Sequence, residues 1–509
     1  MKKSLLLIAI SILFVILGIS FVGCSNKLCI LDLEITGENL MNGATIVSES
    51  LIDKEKPDAE NMLADNNKCW TPLNKNLYAN VEFKLNGKKT FNTAVIDEVG
   101  SEIRYFRLQA KINGKWQTIY TSEKMEKQRI VSFDSVETEH LRLSIEKFNM
   151  KDKCAKVKSI KLFNLNSDRG DTFNTTVYQR IDTEKPSEVL AKGEQYAKTF
   201  ARYYDVYNTV IIFDVVTWDE QGNLIFKNEG KDGLSGKQYF ERELDALKKL
   251  VDMKTNPHKV RIIVTALADG AGGSHGGVNK VMHASHTDIA NKMVDTFIGE
   301  YDLDGLDIDW EYPQNKYDWA CYDAFMKELH DKMNAVKPDA IISAALSAWA
   351  LGMNQETMDI IDQIQYMAYD DFNSEGIQST LYKAQLGVAR FVKNGTTKSK
   401  INIGIPSYGR PINHTSYWPT WKELDRPNMY FDSIFERIDC GNQTYYDSAY
   451  CSPALAGDKT ALAIFSGCGG VMVFRLTCDK LMDEKEIAVA NGIENTLQRY
   501  FPTWWKGNK

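Results

Sequence analysis

None of the nine cysteines stands in a C-x-x-C pair, so the spacing that marks a structural zinc site is missing. Basic charge is not in excess either. With 61 Lys and Arg against 68 Asp and Glu, well mixed along the chain, the formal charge is -7 and there is no basic stripe, which argues against a nucleic-acid partner. A chain of 509 residues is too long for one ordinary core, and two or three domains are expected.

What is present is concentrated in Asp304-Gly305-Leu306-Asp307-Ile308-Asp309-Trp310-Glu311. On a strand, residues i, i+2 and i+4 share a face, so Asp307, Asp309 and Glu311 line one side while Leu306, Ile308 and Trp310 line the other. Three acids crowded together cannot all stay ionised, and at least one should hold a proton near neutral pH, as a general acid must. The competing readings are a solvated strand end or a calcium site. A structural sheet, however, has no use for buried acids beside Leu, Ile and Trp.

Met1-Lys2-Lys3 followed by apolar residues from Leu5 to Gly23 reads as an export signal. It closes on Phe21-Val22-Gly23-Cys24-Ser25, which resembles a bacterial lipobox with Phe where Leu is usual. Residues 1–24 are thus expected to be a signal peptide, with lipid on Cys24 anchoring an exported chain at the outer membrane or cell surface. Simple secretion, or an uncleaved membrane helix of about 20 residues, is the alternative. Export permits disulfides; Cys440 and Cys451 are near enough in sequence to pair, but spacing does not fix connectivity.

From Asn26 to Asn166 the chain alternates in short segments such as Val81-Glu82-Phe83-Lys84-Leu85 and Leu141-Arg142-Leu143-Ser144-Ile145, which predicts an all-β sandwich. Trp70 and Trp116 are expected in its core, with a sugar-stacking platform as the alternative for each. Ala64-Asp65, Trp70, Phe91-Asn92, Glu98 and Gly114-Lys115-Trp116 resemble the order of signals in discoidin-like carbohydrate-binding modules, a likeness that implies sugar binding and a structural calcium in residues 26–166. Asp168-Arg169-Gly170-Asp171 reads as a linker or turn.

Residues 172–505 then alternate strands with helices, the order of a parallel sheet with helices outside. Seven strands are plain: 209–213, 260–264, the acidic strand, 341–345, 364–367, 401–405 and 470–474. Thr176-Val177-Tyr178 supplies a weaker first, making an α/β TIM (β/α)8 barrel. Apolar stripes at Ile289, Met293, Val294, Phe297 and Ile298, and at Tyr322, Phe325, Met326, Leu329 and Met333, mark two helices. In such barrels active residues gather at the C-terminal ends of strands, where Tyr312-Pro313 stops the acidic strand.

The acidic strand resembles the signature of glycoside hydrolase family 18, the chitinases and endo-beta-N-acetylglucosaminidases. That resemblance implies Glu311 as general acid and then base, with Asp309 orienting the substrate's 2-acetamido group while it attacks as the nucleophile. Asp307 would back Asp309 by sharing a proton. Ser274, in Ala271-Gly272-Gly273-Ser274-His275-Gly276-Gly277, would hydrogen-bond Asp307. Met367-Ala368-Tyr369-Asp370 matches the family's Met-x-Tyr-Asp, so Tyr369 would donate to the acetamido oxygen, Asp370 would accept from substrate, and Met367 would line the site. Tyr408 and Arg410 of Gly404-Ile405-Pro406-Ser407-Tyr408-Gly409-Arg410 would line the cleft, with Arg410 meeting substrate hydroxyls or a carboxylate. Phe474 stands where most members place the Trp that floors the sugar site.

The aromatic residues Tyr417, Trp418, Trp421, Tyr430, Tyr445, Tyr446 and Tyr450 read equally as sugar subsites or as a local core. Their segment is too short for a helix plus a large wall domain, which predicts a shallow cleft. The resemblance implies no cofactor for catalysis. It points to a monomer that cleaves beta-1,4 links in chitin or chitooligosaccharides; N-glycan release, or glycan binding without hydrolysis on the same fold, is the alternative.

Overall fold

The computed structural model describes residues 28–50, 57–64, 66–72, 78–148, 155–183, 185–219, 221–269, 275–373, 375–411, 419–423, 436–439, 445–480 and 488–502. The export signal with Cys24, Ser274, Cys154, Cys440, Tyr417, Trp418, Tyr430 and the side chains of Tyr445 and Tyr446 lie outside what is described. The suggested Cys440 to Cys451 pair lies outside it with them. Among the described residues no helix is long and apolar enough to cross a membrane.

The N-terminal region is all-β: β1 (Thr45–Glu49), β2 (Ala79–Glu98), β3 (Ile103–Ile112), β4 (Lys115–Ser122), β5 (Gln128–Phe148) and β6 (Val157–Phe163). Its hydrogen bonding is continuous in the order β1-β2-β5-β3-β4, with β6 on the C-terminal half of β2 and β1 on its N-terminal half. The reason is length. β2 and β5 are 20 and 21 residues long, and register shifts at Lys84/Lys89 and Phe91/Thr93 let them bend without breaking. Buried Val81, Phe83, Phe91, Ile96, Leu141, Leu143 and Ile145 share a single core. Asn113 and Gly114, at φ 49° and 76°, make the two-residue β3 to β4 turn that suits hairpin twist.

Trp70 is fully buried, as expected, and exchanges backbone hydrogen bonds with Val157 at 2.9 and 3.0 Å. Trp116 departs from expectation. It lies half-exposed on edge strand β4, with the Arg142 guanidinium 4.0 Å above its ring. Among the described residues no three acidic, His or Cys side chains converge on a point fit for a metal ion, so the calcium expected here finds no such cluster.

Eight parallel strands close the barrel: β7 (Asn174–Gln179), β8 (Thr209–Ile212), then after the hairpin β9 (Val216–Trp218) and β10 (Leu224–Phe226), β11 (Arg261–Asp269), β12 (Gly305–Trp310), β13 (Ile341–Leu346), β14 (Gln363–Tyr366) and β15 (Ile401–Pro406). The eighth is β19 (Gly470–Phe474), which pairs back to β7. Gly470 is needed at that seam, because a Cβ there would sit 2.0 Å from the Asn174 carbonyl oxygen. Both predicted apolar stripes are buried, one on His275–Met293 and the turn after it, the other on Lys316–Val336.

Between β15 and β19 lie a small sheet of β16 (Gly409–Pro411), β17 (Glu436–Asp439) and β18 (Tyr445–Tyr450), and the helix Pro453–Phe465. Of the aromatic residues counted there, Trp421 and Tyr450 are buried edge to face at 5.3 Å. Those two are core rather than sugar platform. The expected linker is a short turn, Arg169–Thr172, pinned by Arg169 donating to the Ile464 and Cys468 carbonyls at 3.0 and 2.5 Å.

Candidate active site

Strand β12 divides its side chains as its alternation requires. Leu306, Ile308 and Trp310 pack outward among the helices, Asp307 is fully buried inside the barrel, and Asp309 and Glu311 are half-buried towards its C-terminal mouth. The peptide bonds Glu311-Tyr312 and Phe474-Arg475 are both cis.

Asp307 is the hub. Its Oδ1 accepts from Ser343 Oγ at 2.6 Å, and its Oδ2 accepts from Thr265 Oγ1 at 2.8 Å and from the Tyr178 hydroxyl at 3.0 Å. Thr265 and Ser343 are its direct register neighbours on β11 and β13. Ser343 in turn accepts from Gln365 Nε2 at 3.1 Å, and Gln365 Oε1 accepts from Asn402 Nδ2 at 3.1 Å, so a polar chain climbs the barrel to this carboxyl. Burial pushes the Asp307 carboxyl above its usual range, against the pull of these three donors. The first cause of the upward shift is burial and not the crowding of charge expected from sequence.

Tyr369 reaches the same space from the end of β14. Burial first, then the charges of Asp309, Glu311 and Asp370, hold its hydroxyl well above the usual tyrosine range, so it remains a donor. Tyr178 is raised likewise, by burial and then by Asp307 and Asp309. Tyr312 hydrogen-bonds Glu311 and Ser347, the latter at 2.9 Å.

Phe474 lies at the centre of an aromatic floor, with ring centroids 5.3 Å from Phe213, 5.8 Å from Tyr178 and Tyr369, and 6.3 Å from Tyr408. Met367 packs beside it in the barrel interior. A ring-shaped substrate resting there would be desolvated on one face.

One expected placement changes. Tyr408 does not line the cleft: it is 2% exposed and backs Tyr369 and Phe474 from below. Asp370 is held by Arg410, whose Nε and Nη2 donate to its two oxygens at 2.7 and 2.6 Å, and its carboxylate, 36% exposed, keeps a second lone pair on each oxygen. The carboxylate that Arg410 meets is this internal one. Ser274 lies outside the described residues. The structure thus gathers Asp307, Asp309, Glu311, Met367, Tyr369, Asp370, Arg410 and Phe474 at one end of the barrel, and adds Tyr178, Thr265, Ser343 and Tyr312. The added hydroxyls carry no motif; the signal that finds them is inward alternation on strands that only barrel closure brings together.

A half-buried carboxyl at the mouth, two more acids beneath it, a tyrosine hydroxyl and an aromatic floor thus share the C-terminal end of a TIM barrel, where such folds place their active residues. The chain belongs to the glycosyl hydrolases family 18, whose model matches residues 190–479, more than half of its length. Among curated relatives, it is 23% identical over 242 residues to endochitinase 1 of Metarhizium robertsii, covering 39% of this chain and 57% of that one. It is 30% identical over 141 residues to a probable endochitinase of Caenorhabditis elegans, covering 23% of each. The chain therefore spans between about a quarter and somewhat over half of the length of these relatives. Among solved structures, a chitinase from Bacteroides thetaiotaomicron is similar at 15% identity and TM-score 0.48, over 65% of this chain and 98% of that one.

Proposed function

We propose that this protein hydrolyses beta-1,4 links in chitin or chitooligosaccharides, after an N-acetylglucosamine residue. Carrying this reading is the placement of Asp307 and Asp309 on one face of β12 with Glu311 directly past its end, the innermost carboxyl being buried and raised. In the proposed reaction the sugar rests on Phe474, Glu311 gives its proton to the glycosidic oxygen, and the C–O bond to the leaving sugar breaks. The substrate's own acetamido oxygen closes on the anomeric carbon, oriented by Asp309 and by the Tyr369 hydroxyl. Water, deprotonated by Glu311, then opens the resulting oxazolinium ring with net retention. No metal or cofactor takes part in this scheme.

The reading extends to location and to the N-terminal sheet. Residues 1–24 support export with lipid on Cys24, and a Cys24→Ser variant still found with membranes would refute that anchor. The discoidin-like order of residues supports sugar binding by the sheet.

The test is to digest chitooligosaccharides and a high-mannose glycoprotein side by side and to read the products by mass spectrometry. Shorter chitooligosaccharides should appear, and Glu311→Gln should abolish turnover while keeping affinity, since only the proton donor is lost. Release of glycan from the glycoprotein alone would replace chitin as substrate. Near-normal turnover by Glu311→Gln would sink the mechanism.

A further inference from the structure

Residues 370–379 link β14 to the helix Leu381–Lys393, and they begin with Asp370, next to Tyr369. Asp370 and Ser379, at the two ends, both have left-handed backbone, with φ 55° and 60°. Such conformations persist in non-glycine residues only where surrounding contacts hold them.

Three holds are visible. Gln378, fully buried, accepts from the Asp370 N–H at 3.2 Å and donates to the Tyr408 carbonyl at 3.3 Å. Lys459, also fully buried, donates to Ser379 Oγ at 2.6 Å and to the carbonyls of Gly404 and Ala368 at 3.1 and 3.3 Å, on either side of the loop's root. At the far end, the Glu375 carboxylate is clamped by Arg104 of β3 and by Lys124, whose Nζ lies 2.9 Å away. Arg104 and Lys124 belong to the N-terminal sheet.

Lys124 sits in the β4 to β5 connection, where Met125 turns into the sheet's own core and Glu126 meets an outer helix of the barrel. Met125 is fully buried, and Glu126 accepts from the Tyr382 N–H at 2.9 Å in the first turn of the helix that ends the loop. Gln385, one turn later, donates to the Gln128 carbonyl at 3.0 Å. Beside this, Arg129 of β5 pairs with Asp458 at 2.7 Å with both side chains excluded from water. Asp458 precedes Lys459. One residue of this helix takes the sheet's buried cation, and the next delivers a buried cation to the root of the loop.

A module swinging on a linker would not bury an ion pair in its contact surface, because removing both charges from water costs several kcal/mol, about the size of a whole domain's margin, unless their geometry is fixed. The sheet is therefore fixed against the barrel where the loop is rooted. We propose that the N-terminal sheet sets the position of the Tyr369 and Asp370 loop for the reaction, with Glu375, Lys124 and Arg104 as positioning residues, so that sheet and barrel form one catalytic unit. The inference rests on the glycosidase reading of the site.

The experiment uses the full chain as wild type, Glu375→Ala, Lys124→Met and Lys124→Arg. Hydrogen exchange of peptides spanning 370–380 is measured by mass spectrometry, beside kcat and KM on chitooligosaccharides. In Glu375→Ala and Lys124→Met the loop should exchange faster and kcat should fall about tenfold with little change in KM, as expected when a group is misplaced without loss of binding surface. Melting temperature should barely move, and Lys124→Arg should keep both loop protection and kcat. Unchanged exchange, or faster exchange with unchanged kcat, overturns the proposal. If the wild type cleaves no glycan at all, the glycosidase reading fails by itself, and loop exchange in Glu375→Ala still decides whether the sheet holds the loop.

Discussion

Arg410 grips Asp370 with two parallel hydrogen bonds, Nε to Oδ1 at 2.7 Å and Nη2 to Oδ2 at 2.6 Å, across the gap between the ends of β14 and β15. The pair fixes one residue beyond Tyr369, and the Arg410 guanidinium also lies 5.5 Å from the Tyr408 ring that backs Tyr369. Electrostatic support of the transition state depends on the Tyr369 hydroxyl being already in place.

Arg410→Ala should therefore lower kcat by about 10²-fold, the size of effect that a misplacement of about 1 Å produces. Arg410→Lys should recover little, since an ammonium cannot reproduce the two-pronged contact. Steady-state kinetics on chitooligosaccharides checks both; a loss confined to KM would mean that Arg410 only binds substrate.

Asp307→Asn should separate stability from activity. Burial raises the folded carboxyl above the unfolded value of about 3.9, so the folded state keeps a proton that the unfolded chain has released. Wild-type stability must then fall as pH rises from that value through the folded pKa. Asparagine does not titrate and can still bond to Ser343, Thr265 and Tyr178. Thermal melts from pH 4 to pH 8 should show a gap widening in favour of the variant, while hydrolysis drops. A constant gap would mean that Asp307 does not titrate in this range.

Much of this was legible beforehand. All eight barrel strands were readable because short β-branched runs such as Thr209–Ile212 and Ile401–Pro406 are buried on both faces. The acids were readable because β12 alternates cleanly. What escaped depends on contacts between distant segments. Nothing near Tyr408 marks it as buried rather than lining the cleft; only the packing of Tyr369 and Phe474 over it does. The size of Trp116 favours core, yet it stands half-exposed on an edge strand beneath the Arg142 guanidinium. The continuity of the sheet was not readable, because β2 and β5 run on through bends such as Asn86-Gly87, with Gly87 at φ 80°, that would otherwise read as the turn between two strands.

Glu98 offers a second pH test, remote from the acids of the barrel. It is 3% exposed and accepts from the N–H groups of Glu102 and Ile103 at 2.6 and 3.0 Å, but burial still lifts its carboxyl from 4.5 to about 7. The folded state holds the proton throughout that interval and the unfolded chain does not, so wild-type stability declines from about pH 4.5 to about pH 7 and stays reduced above it. Glu98→Gln keeps an acceptor for both N–H groups and removes the charge. At pH 8 it should be more stable on the order of 1 to 3 kcal/mol, with the difference vanishing near pH 4. Urea melts at the two pH values decide this; equal effects at both would locate the change in packing instead.

The rim next to Glu311 carries the last prediction. Trp349, just past β13, is 64% exposed and meets Tyr312 edge to face at 4.5 Å. With Pro313, Trp319 and Leu351 these two line a groove of about 520 Å³. An exposed indole held rigid by a neighbouring ring costs little entropy to stack on a sugar face, and the groove begins one residue from the proposed proton donor. A glycan long enough to extend past Glu311 would lie across it. Trp349→Ala should weaken binding of long oligomers by about 0.5–1.5 kcal/mol, a several-fold rise in KM, and leave the shortest cleavable substrate nearly untouched. KM measured across oligomers of increasing length checks this, and an equal loss at every length would place Trp349 away from the path of the chain.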